Sequence, residues 1–171
     1  MRFKCCGNVQ IYEVYLLRFA LVIEYLMIKE FSAGGIVFRR TNNQQTTANN
    51  LSWLVCQHSQ HKGWVFPKGF IGDHIEGESV KDTALREVKE ETGVDAKILE
   101  KIKNPAGYFY VWKGEKRYKT VYYFLMEYLG GDITKHDFEM SKVEWWDEEK
   151  VKRDLTYKSD KEAFKEALKL I

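Results

Sequence analysis

A helical segment near the middle of the chain carries acidic residues on the face that should be buried. Residues 79–92 are rich in strong helix formers. In a helix, one stripe of this segment has spacings of four, three and four: Val80, Ala84, Glu87 and Glu91. Such a stripe normally packs against the core. The chain must therefore fold in a way that accommodates two glutamates there, with Glu90 one turn from Glu87.

Carboxylates this close repel one another, and removing them from water is costly unless each has a partner. Arg86 lies immediately beside them, but one guanidinium cannot neutralise three acids. A divalent cation would resolve both problems, because Mg²⁺ prefers oxygen ligands. The alternative is a solvated acidic face, which is the usual role of acidic runs, and periodicity alone leaves both interpretations open.

The residues around this helix resemble the Nudix box, the signature of Nudix hydrolases. The fixed positions are Gly72, Glu78, Arg86, Glu87, Val88, Glu90, Glu91, Gly93 and Val94, with five residues between the first two and seven between the next two. The resemblance implies that Glu87, Glu90 and Glu91 bind a metal ion, Mg²⁺ with Mn²⁺ as a substitute. It also implies a structural ion pair between Glu78 and Arg86. Gly93 suits the end of a helix.

One departure concerns the glycine that opens the box. In most relatives this glycine belongs to a Pro-Lys-Gly triplet and presents its carbonyl to the metal. Here Pro67-Lys68-Gly69 lies three residues upstream of Gly72. Either glycine fits the family role, and we favour Gly69 because Pro67 should fix the loop at that point.

The order of elements predicts an α/β fold with one catalytic domain. Residues 31–39 and 51–58 are strand-like and should form a hairpin around a polar loop, and four strand-like runs follow the central helix: 96–102, 108–112, 118–129 and 143–146. Lys113-Gly114-Glu115 is a candidate hairpin turn. Asp160 is a candidate N-cap for a closing helix over residues 160–171. Together with the resemblance, this order predicts a Nudix-like α/β/α sandwich whose mixed sheet lies between helices.

Looser motifs outside the box are similar to those of dinucleoside tetraphosphate hydrolases. They are residues 63–69, residues 113–125 and the closing Leu155-Thr156-Tyr157 with residues 160–163. This resemblance implies hydrolysis of a bis(5′-nucleosyl) tetraphosphate to ATP and AMP. Predicted substrate contacts are Lys68 and Lys119 to phosphates, Tyr110 and Tyr123 to a base, and His61 to an anion.

The resemblance also implies the mechanism and its acids and bases. Mg²⁺ ions held by the box glutamates and a glycine carbonyl would bridge phosphate oxygens and activate a water molecule. Glu91 or Glu139 would accept its proton, since Glu139 stands six residues before Trp145, where relatives carry a loop glutamate. Glu90 belongs to the same predicted catalytic set. For Glu139, a solvated loop position is the competing interpretation.

The overall charge limits the choice of partners. The 27 basic and 25 acidic residues leave a net charge of +2, which predicts a nucleotide as substrate and no stable nucleic-acid or membrane partner. Rival activities are RNA 5′-pyrophosphohydrolase and housecleaning nucleoside triphosphate pyrophosphatase. A rival of another class is a non-catalytic nucleotide-binding Nudix module. The sequence does not indicate an oligomeric state.

The first 28 residues form an apolar appendage to a domain predicted over residues 29–171. Glu13, Arg18 and Glu24 interrupt the apolar run, and a membrane span needs about 20 largely uncharged residues. We favour upstream sequence preceding a start at Met27 over an amphipathic appendage. Three cysteines without metal-site spacing favour a reducing, cytoplasmic setting.

Overall fold

The computed structural model describes residues 27–41, 51–73 and 75–171. The strands are β1 (Ile28–Arg40), β2 (Leu51–His58), β3 (Trp64–Val65), β4 (Lys68–Phe70), β5 (Val94–Lys101), β6 (Ala106–Trp112), β7 (Glu115–Gly131) and β8 (Met140–Trp146). The helices are α1 (Val80–Thr92), α2 (Glu148–Asp154) and α3 (Lys158–Ala167), with short 3₁₀ turns at Ile133–Lys135 and Leu168–Leu170. Residues 1–26 of the predicted N-terminal appendage, including Cys5 and Cys6, lie outside the described residues. The proposed start, Met27, is the first residue that the structure describes.

The strands form one mixed sheet built around β1 and β7. The central order is β3-β2-β1-β7-β5, and β4, β6 and β8 pair with β1, β7 and β2 respectively. β1 and β7 run parallel over eleven residue pairs, from Ile28 beside Arg117 to Phe38 beside Glu127. The other pairings are antiparallel. The two long central strands therefore form a rigid frame for the loops at their ends.

Helices cover both faces of this sheet. On one face, Ala84 and Val88 of α1 share a buried cluster with Val37 and Met126. On the other face, Val151 of α2 and Phe164 of α3 pack in a second buried cluster. This arrangement confirms the predicted α/β sandwich with a mixed sheet between helices.

Both predicted hairpins are present. β1 and β2 pair antiparallel across the polar loop, and β6 and β7 pair up to Trp112 beside Glu115. Lys113 and Gly114 form the two-residue turn of the second hairpin, with φ of 48° and 83°. Positive φ at both positions is what a two-residue turn of this hand requires.

The C-terminal part of the fold differs from the prediction. α2 was not predicted, because its seven residues are too few to show a clear helical period. α3 begins at Lys158, and Tyr157 precedes it without a side-chain cap. The prediction of Asp160 as N-cap was therefore wrong: Asp160 lies inside the first turn with an exposed fraction of 1%. No helix among the described residues is long and apolar enough to cross a bilayer.

Candidate active site

Helix α1 presents its acidic stripe to the interior, which decides between the two interpretations that its periodicity left open. The Ser79 side chain caps the helix by accepting a hydrogen bond from the amide of Asp82, and Gly93 ends the helix with φ of 71°. Ala84, Glu87 and Glu91 are all buried, and the two glutamates have exposed fractions of 7% and 5%. The interpretation of a fully solvated acidic face is therefore wrong for these two residues.

Arg86 of α1 forms ion pairs with several neighbouring acids. Its guanidinium donates to both carboxylate oxygens of Glu78, at 2.9 and 3.0 Å, so the ion pair implied by the resemblance is present. The same group donates to Glu87 at 2.7 Å and to Glu90 at 2.9 Å. Glu90 is the most exposed of these acids, with 47% of its side chain accessible. Arg86 also pairs with Asp73 at 3.3 Å, so one cation is shared among four carboxylates.

Strand β4 brings its backbone against the acidic stripe. The Lys68 amide donates to Glu91 Oε2 at 2.8 Å. A Cβ atom added to Gly69 would lie 2.1 Å from Glu87 Cδ, so only glycine permits this close approach. Gly72 lies in a turn with φ of 78°, and a Cβ there would meet its nearest neighbour, the Ile75 carbonyl, at 4.0 Å. Of the two glycines, Gly69 is therefore the one in contact with the glutamates.

The two buried glutamates lack enough positive charge around them. Burial raises the pKa of Glu87 to about 7, although attraction to Arg86 acts in the opposite direction. Burial also raises the pKa of Glu91, although attraction to Lys68 and the hydrogen bond from the Lys68 amide both act to lower it. Desolvated acids with raised pKa values bind a cation favourably, because the cation restores the charge balance that burial removed.

The donor set at this point consists of hard oxygen atoms. Glu87 lies against the backbone of Gly69, and Glu91 accepts from the Lys68 amide. Glu90 lies on the same helix and shares Arg86 with Glu87. Carboxylate and carbonyl oxygens are the ligands of Mg²⁺ rather than of softer metals. Among the described residues, no three acidic, imidazole or thiol groups converge on one point. Arg86 and the Lys68 amide hydrogen-bond to the glutamates. The residues fit a divalent cation in chemistry and in charge.

A cleft of about 1690 Å³ opens over these groups. On one wall, Lys119 of β7 lies with its ammonium 3.8 Å from the ring centroid of Phe70 and 5.9 Å from that of Tyr110. The Tyr110 hydroxyl donates to Glu30, which also accepts from Arg117 at 2.7 Å. Burial and repulsion from Lys68 lower the pKa of Lys119. This wall combines two lysines with aromatic rings, as the sequence indicated.

The opposite wall contains His61, as predicted, together with residues that were not predicted. His61 stacks on His58 with ring centroids 4.0 Å apart, and its Nδ1 lies 3.2 Å from the Tyr157 hydroxyl. Tyr157 lines the cleft with 42% of its surface exposed. Its place in the Leu155-Thr156-Tyr157 motif was the signal that could have identified it.

Tyr123 does not line the cleft, so its predicted contact with a base is wrong. Only 1% of its surface is exposed. Its ring packs against Phe66, and its hydroxyl donates to Asp160 at 3.0 Å. The alternation of β7 explains the error, since Tyr122 and Tyr123 point to opposite faces of the sheet.

The loop between β7 and β8 supplies two acids to the rim of the cleft. Glu139 is exposed there, and its amide hydrogen bonds to the Asp137 carboxylate at 2.9 Å. Asp137 was not predicted, yet its negative charge is one of those that raise the pKa of Glu91. Its amide is tied to the carbonyl of Glu90 at 3.0 Å, which fixes this loop to the end of α1.

Comparison with known proteins places the chain in a family. The sequence model of the NUDIX domain matches residues 31–167. The chain belongs to the Nudix family. Nudix enzymes are hydrolases that act on phosphoanhydrides and use a divalent metal ion, and this chain carries every fixed residue of the box. The family match begins at the fourth residue of β1 and ends at the last residue of α3, so it spans the sandwich.

Individual relatives fall into several Nudix groups. The Nudix domain is 41% identical over 83 residues to a Mycobacterium tuberculosis protein named as mutator protein MutT4, covering 48% of this chain and only 32% of that protein. It is 33% identical over 106 residues to the asymmetrical bis(5′-nucleosyl)-tetraphosphatase of Rattus norvegicus, covering 60% of this chain and 67% of the relative. The fold matches the crystal structure of a C. elegans Ap4A hydrolase binary complex with a TM-score of 0.64 at 23% identity, covering 82% of this chain and 96% of that one.

Proposed function

We propose that this Nudix hydrolase cleaves dinucleoside tetraphosphates into ATP and AMP and uses Mg²⁺. The observation that carries the proposal is the composition of the cleft. Carboxylate, lysine and aromatic side chains all line the cleft. At about 1690 Å³ the cleft exceeds the roughly 300–1,000 Å³ typical of small-ligand pockets. A substrate with two nucleosides and a long phosphate chain matches this size and chemistry.

Named relatives support the same substrate class. The asymmetrical tetraphosphatases of Sus scrofa and Mus musculus are 36% and 33% identical to the chain over 107 and 100 residues. The asymmetrical cut of a tetraphosphate gives a triphosphate and a monophosphate, which is the product pair in the proposal.

Glu87, Glu90, Glu91 and the Gly69 carbonyl would hold the metal ion. Bound there, Mg²⁺ would polarise phosphate oxygens and lower the pKa of a water molecule. Burial, with a smaller contribution from neighbouring acids, raises the pKa of Glu87 and Glu91, and this need for a counter-charge supports the assignment. Mn²⁺ carries the same charge and accepts the same oxygen ligands, so it would bind to the same residues.

The chain's own side chains would bind and orient the phosphates. Lys68 and Lys119 both line the cleft and would neutralise charge on the transferred and leaving phosphates. Tyr110 would stack on a base, because its hydroxyl is fixed by Glu30 and its ring borders the cleft. His61 would donate to a phosphate oxygen through the ring nitrogen that does not contact the backbone.

The proton of the attacking water would pass to a carboxylate. Glu91 and Glu139 are the two candidates, and they differ in environment: Glu91 is buried, whereas Glu139 is exposed on a loop. Replacing a general base typically reduces the rate by about 10²–10⁴-fold. The Glu91→Gln and Glu139→Gln variants, compared at saturating Mg²⁺, therefore distinguish the two assignments.

A second activity has one specific observation in its favour. An RNA pyrophosphohydrolase of Dinoroseobacter shibae is 33% identical over 102 residues, close to the identity of the tetraphosphatases. Removal of pyrophosphate from an RNA 5′ end would use the same glutamates of α1. The low net charge of +2 favours the small substrate over RNA.

A substrate panel tests the proposal. Purified protein with Mg²⁺ is incubated with diadenosine tetraphosphate, nucleoside triphosphates and 5′-triphosphorylated RNA, and the products are separated by ion-exchange chromatography. We expect the highest kcat/KM for the dinucleotide, with ATP and AMP in equal amounts. Two ADP molecules as products, or a higher kcat/KM for RNA, would overturn the substrate assignment and leave the Nudix chemistry in place.

A further inference from the structure

Tyr157 lines the cleft, and the proposed reaction assigns it no role. Its hydroxyl lies 3.2 Å from Nδ1 of His61, the residue proposed to donate to a phosphate oxygen. The two rings meet edge to face, with centroids 6.0 Å apart. A side chain from the loop between α2 and α3 therefore contacts this imidazole directly.

Backbone hydrogen bonds hold these two side chains together. The Trp64 amide donates to the Thr156 hydroxyl at 2.8 Å, and the Thr156 amide donates back to the Trp64 carbonyl at 3.0 Å. The loop that carries Tyr157 is thus fixed to the turn that carries His61. A Cβ atom added to Gly63 would lie 3.0 Å from His61 Nδ1 and 3.1 Å from the Tyr157 hydroxyl oxygen. The absence of a side chain at Gly63 leaves room for the contact.

The hydrogen bonds at Nδ1 determine which nitrogen of His61 carries the proton. The Gly63 amide donates to Nδ1 at 3.3 Å, so Nδ1 is an acceptor and the Tyr157 hydroxyl is a second donor to it. A neutral imidazole has one N–H donor and one acceptor. The proton of His61 therefore lies on Nε2, because the partners of one ring nitrogen set the protonation of the other. An N–H group at Nε2 is what a phosphate oxygen requires.

The ring of His58 restricts the plane of the His61 imidazole. The two rings stack with centroids 4.0 Å apart and an angle of 16° between their planes. His58 is itself held, because its Nδ1 accepts from the Gln60 amide at 3.1 Å. Stacking does not distinguish the His61 ring from its 180° flip, which exchanges Nδ1 with a carbon atom. The donors at Nδ1 make that distinction.

We propose that Tyr157 is a positioning residue whose hydroxyl fixes the orientation and the protonated nitrogen of His61, so that Nε2–H binds the substrate phosphate. The inference rests on the proposed phosphate contact of His61. At 3.3 Å the hydrogen bond from the Gly63 amide is long, so the hydroxyl is needed as a second donor. The loop between α2 and α3 thereby contributes to phosphate binding through the imidazole.

The Tyr157→Phe variant tests this role, because phenylalanine keeps the ring and loses only the hydroxyl. Without this donor, the imidazole is free to flip or to carry its proton on Nδ1, so we expect kcat/KM for the dinucleotide to fall about 10-fold. Tyr128→Phe is the matched control, since the Tyr128 hydroxyl donates to the Gly131 carbonyl, also at 3.2 Å, and lies outside the cleft. The control should retain the wild-type kcat/KM. An unchanged kcat/KM in Tyr157→Phe would overturn the inference.

A double-mutant cycle with His61→Ala makes the test specific. Once the imidazole is absent, Tyr157→Phe should have no further effect on kcat/KM. Equal losses from Tyr157→Phe in the presence and absence of His61 would mean that the hydroxyl acts on the substrate without the imidazole, and they would overturn the inference.

Nitrogen NMR of the imidazole rings gives a readout that does not depend on activity. The chain has four histidines, so the His61 ring signals can be assigned as those missing from His61→Ala. In ¹⁵N-labelled wild-type protein, at a pH where the ring is neutral, we expect well-separated shifts for a protonated Nε2 and an unprotonated Nδ1. Tyr157→Phe should move these two shifts towards each other, whereas Tyr128→Phe should not.

These shifts also separate the inference from the proposed function. If the wild-type protein hydrolyses no dinucleotide, the proposed function fails, and the nitrogen shifts still decide whether Tyr157 positions His61. Identical His61 shifts in wild type and Tyr157→Phe would overturn the positioning role, as would a wild-type ring protonated at Nδ1.

Discussion

At the scale of single residues, the glutamates of α1 have too little positive charge around them to balance their own. Arg86 is shared among Asp73, Glu78, Glu87 and Glu90. Within the described part of the chain, Glu91 receives a backbone amide and the more distant charge of Lys68. An acid that is buried without a full counter-charge takes up a proton more readily in the folded state than in the unfolded chain. Folding and metal binding are therefore linked through these carboxyls.

Metal-free protein should lose stability as the pH rises from about 4.5 to 7. The folded-state pKa of Glu87 is raised from 4.5 to about 7, so the folded state binds more protons than the unfolded state within this window, and stability decreases with pH. The contribution is on the order of 1–3 kcal/mol. Urea unfolding at several pH values in the presence of a chelator measures it.

Two comparisons make this prediction specific. Glu87→Gln should flatten the decrease in stability, because the amide does not titrate. Saturating Mg²⁺ should stabilise the protein more at pH 7 than at pH 5, since the metal binds the deprotonated carboxylates. Stability that rises with pH in the metal-free protein would contradict the assigned environment of Glu87.

At the scale of elements, the junction between β4 and α1 determines which glycine serves the site. The sequence left Gly69 and Gly72 as alternatives, because counting residues does not show how a loop bulges. The structure distinguishes them by contact: the Gly69 backbone lies against Glu87, whereas Gly72 occupies a turn with open space around it. The three residues after the Pro67-Lys68-Gly69 triplet form the end of β4 and this turn.

Substitution of Gly69 should mainly lower kcat, whereas substitution of Gly72 should mainly lower the stability of the fold. Gly69→Ala places a methyl group 2.1 Å from Glu87 Cδ, so we expect at least a 10-fold loss of kcat, because the glutamate must move. Gly72→Ala should destabilise the fold by about 1–2 kcal/mol through its positive φ and leave kcat within about twofold. Steady-state kinetics and urea unfolding of both variants check this, and a reversed pattern would assign the site to Gly72.

The elements also show which features the sequence could reveal. Helix α1 was predictable to within one residue, because its caps and its periodicity agree. The short α2 and the start of α3 were not predictable, since α3 begins without a side-chain cap and buries the aspartate that resembled one. Tyr123 was misassigned for a related reason: a strand with tyrosines at adjacent positions does not indicate which ring faces the ligand.

At the scale of the molecule, the sheet gathers loops from distant parts of the sequence into one cleft. β1 and β7 run parallel at its centre. Residues of β4, β6, β7, the loop before β8 and α1 line one cleft. The family resemblance allowed the box residues and the lysines to be predicted. Asp137 and Tyr157 were missed, because their places in the cleft depend on which loops the fold brings together.

A chain that begins at Met27 should fold and act like the full-length protein. β1 starts at Ile28, the family match starts at residue 31, and the cleft is lined by residues from Glu30 onwards. We expect kcat/KM and the urea midpoint of unfolding to agree with those of the full chain within experimental error. A large loss of either quantity on removal of residues 1–26 would show that the domain extends further towards the N-terminus than predicted.

The central claim is that Glu87 and Glu91 on the inner stripe of α1 bind a divalent cation together with the neighbouring Glu90. Isothermal titration of Mg²⁺ into wild type, Glu90→Gln and the exposed β5 control Glu100→Gln tests it directly, because neither side chain belongs to the buried core. We predict Mg²⁺ binding to wild type and to Glu100→Gln, and loss of both binding and dinucleotide hydrolysis in a folded Glu90→Gln protein. Equal Mg²⁺ affinity and equal turnover in all three proteins would contradict the claim.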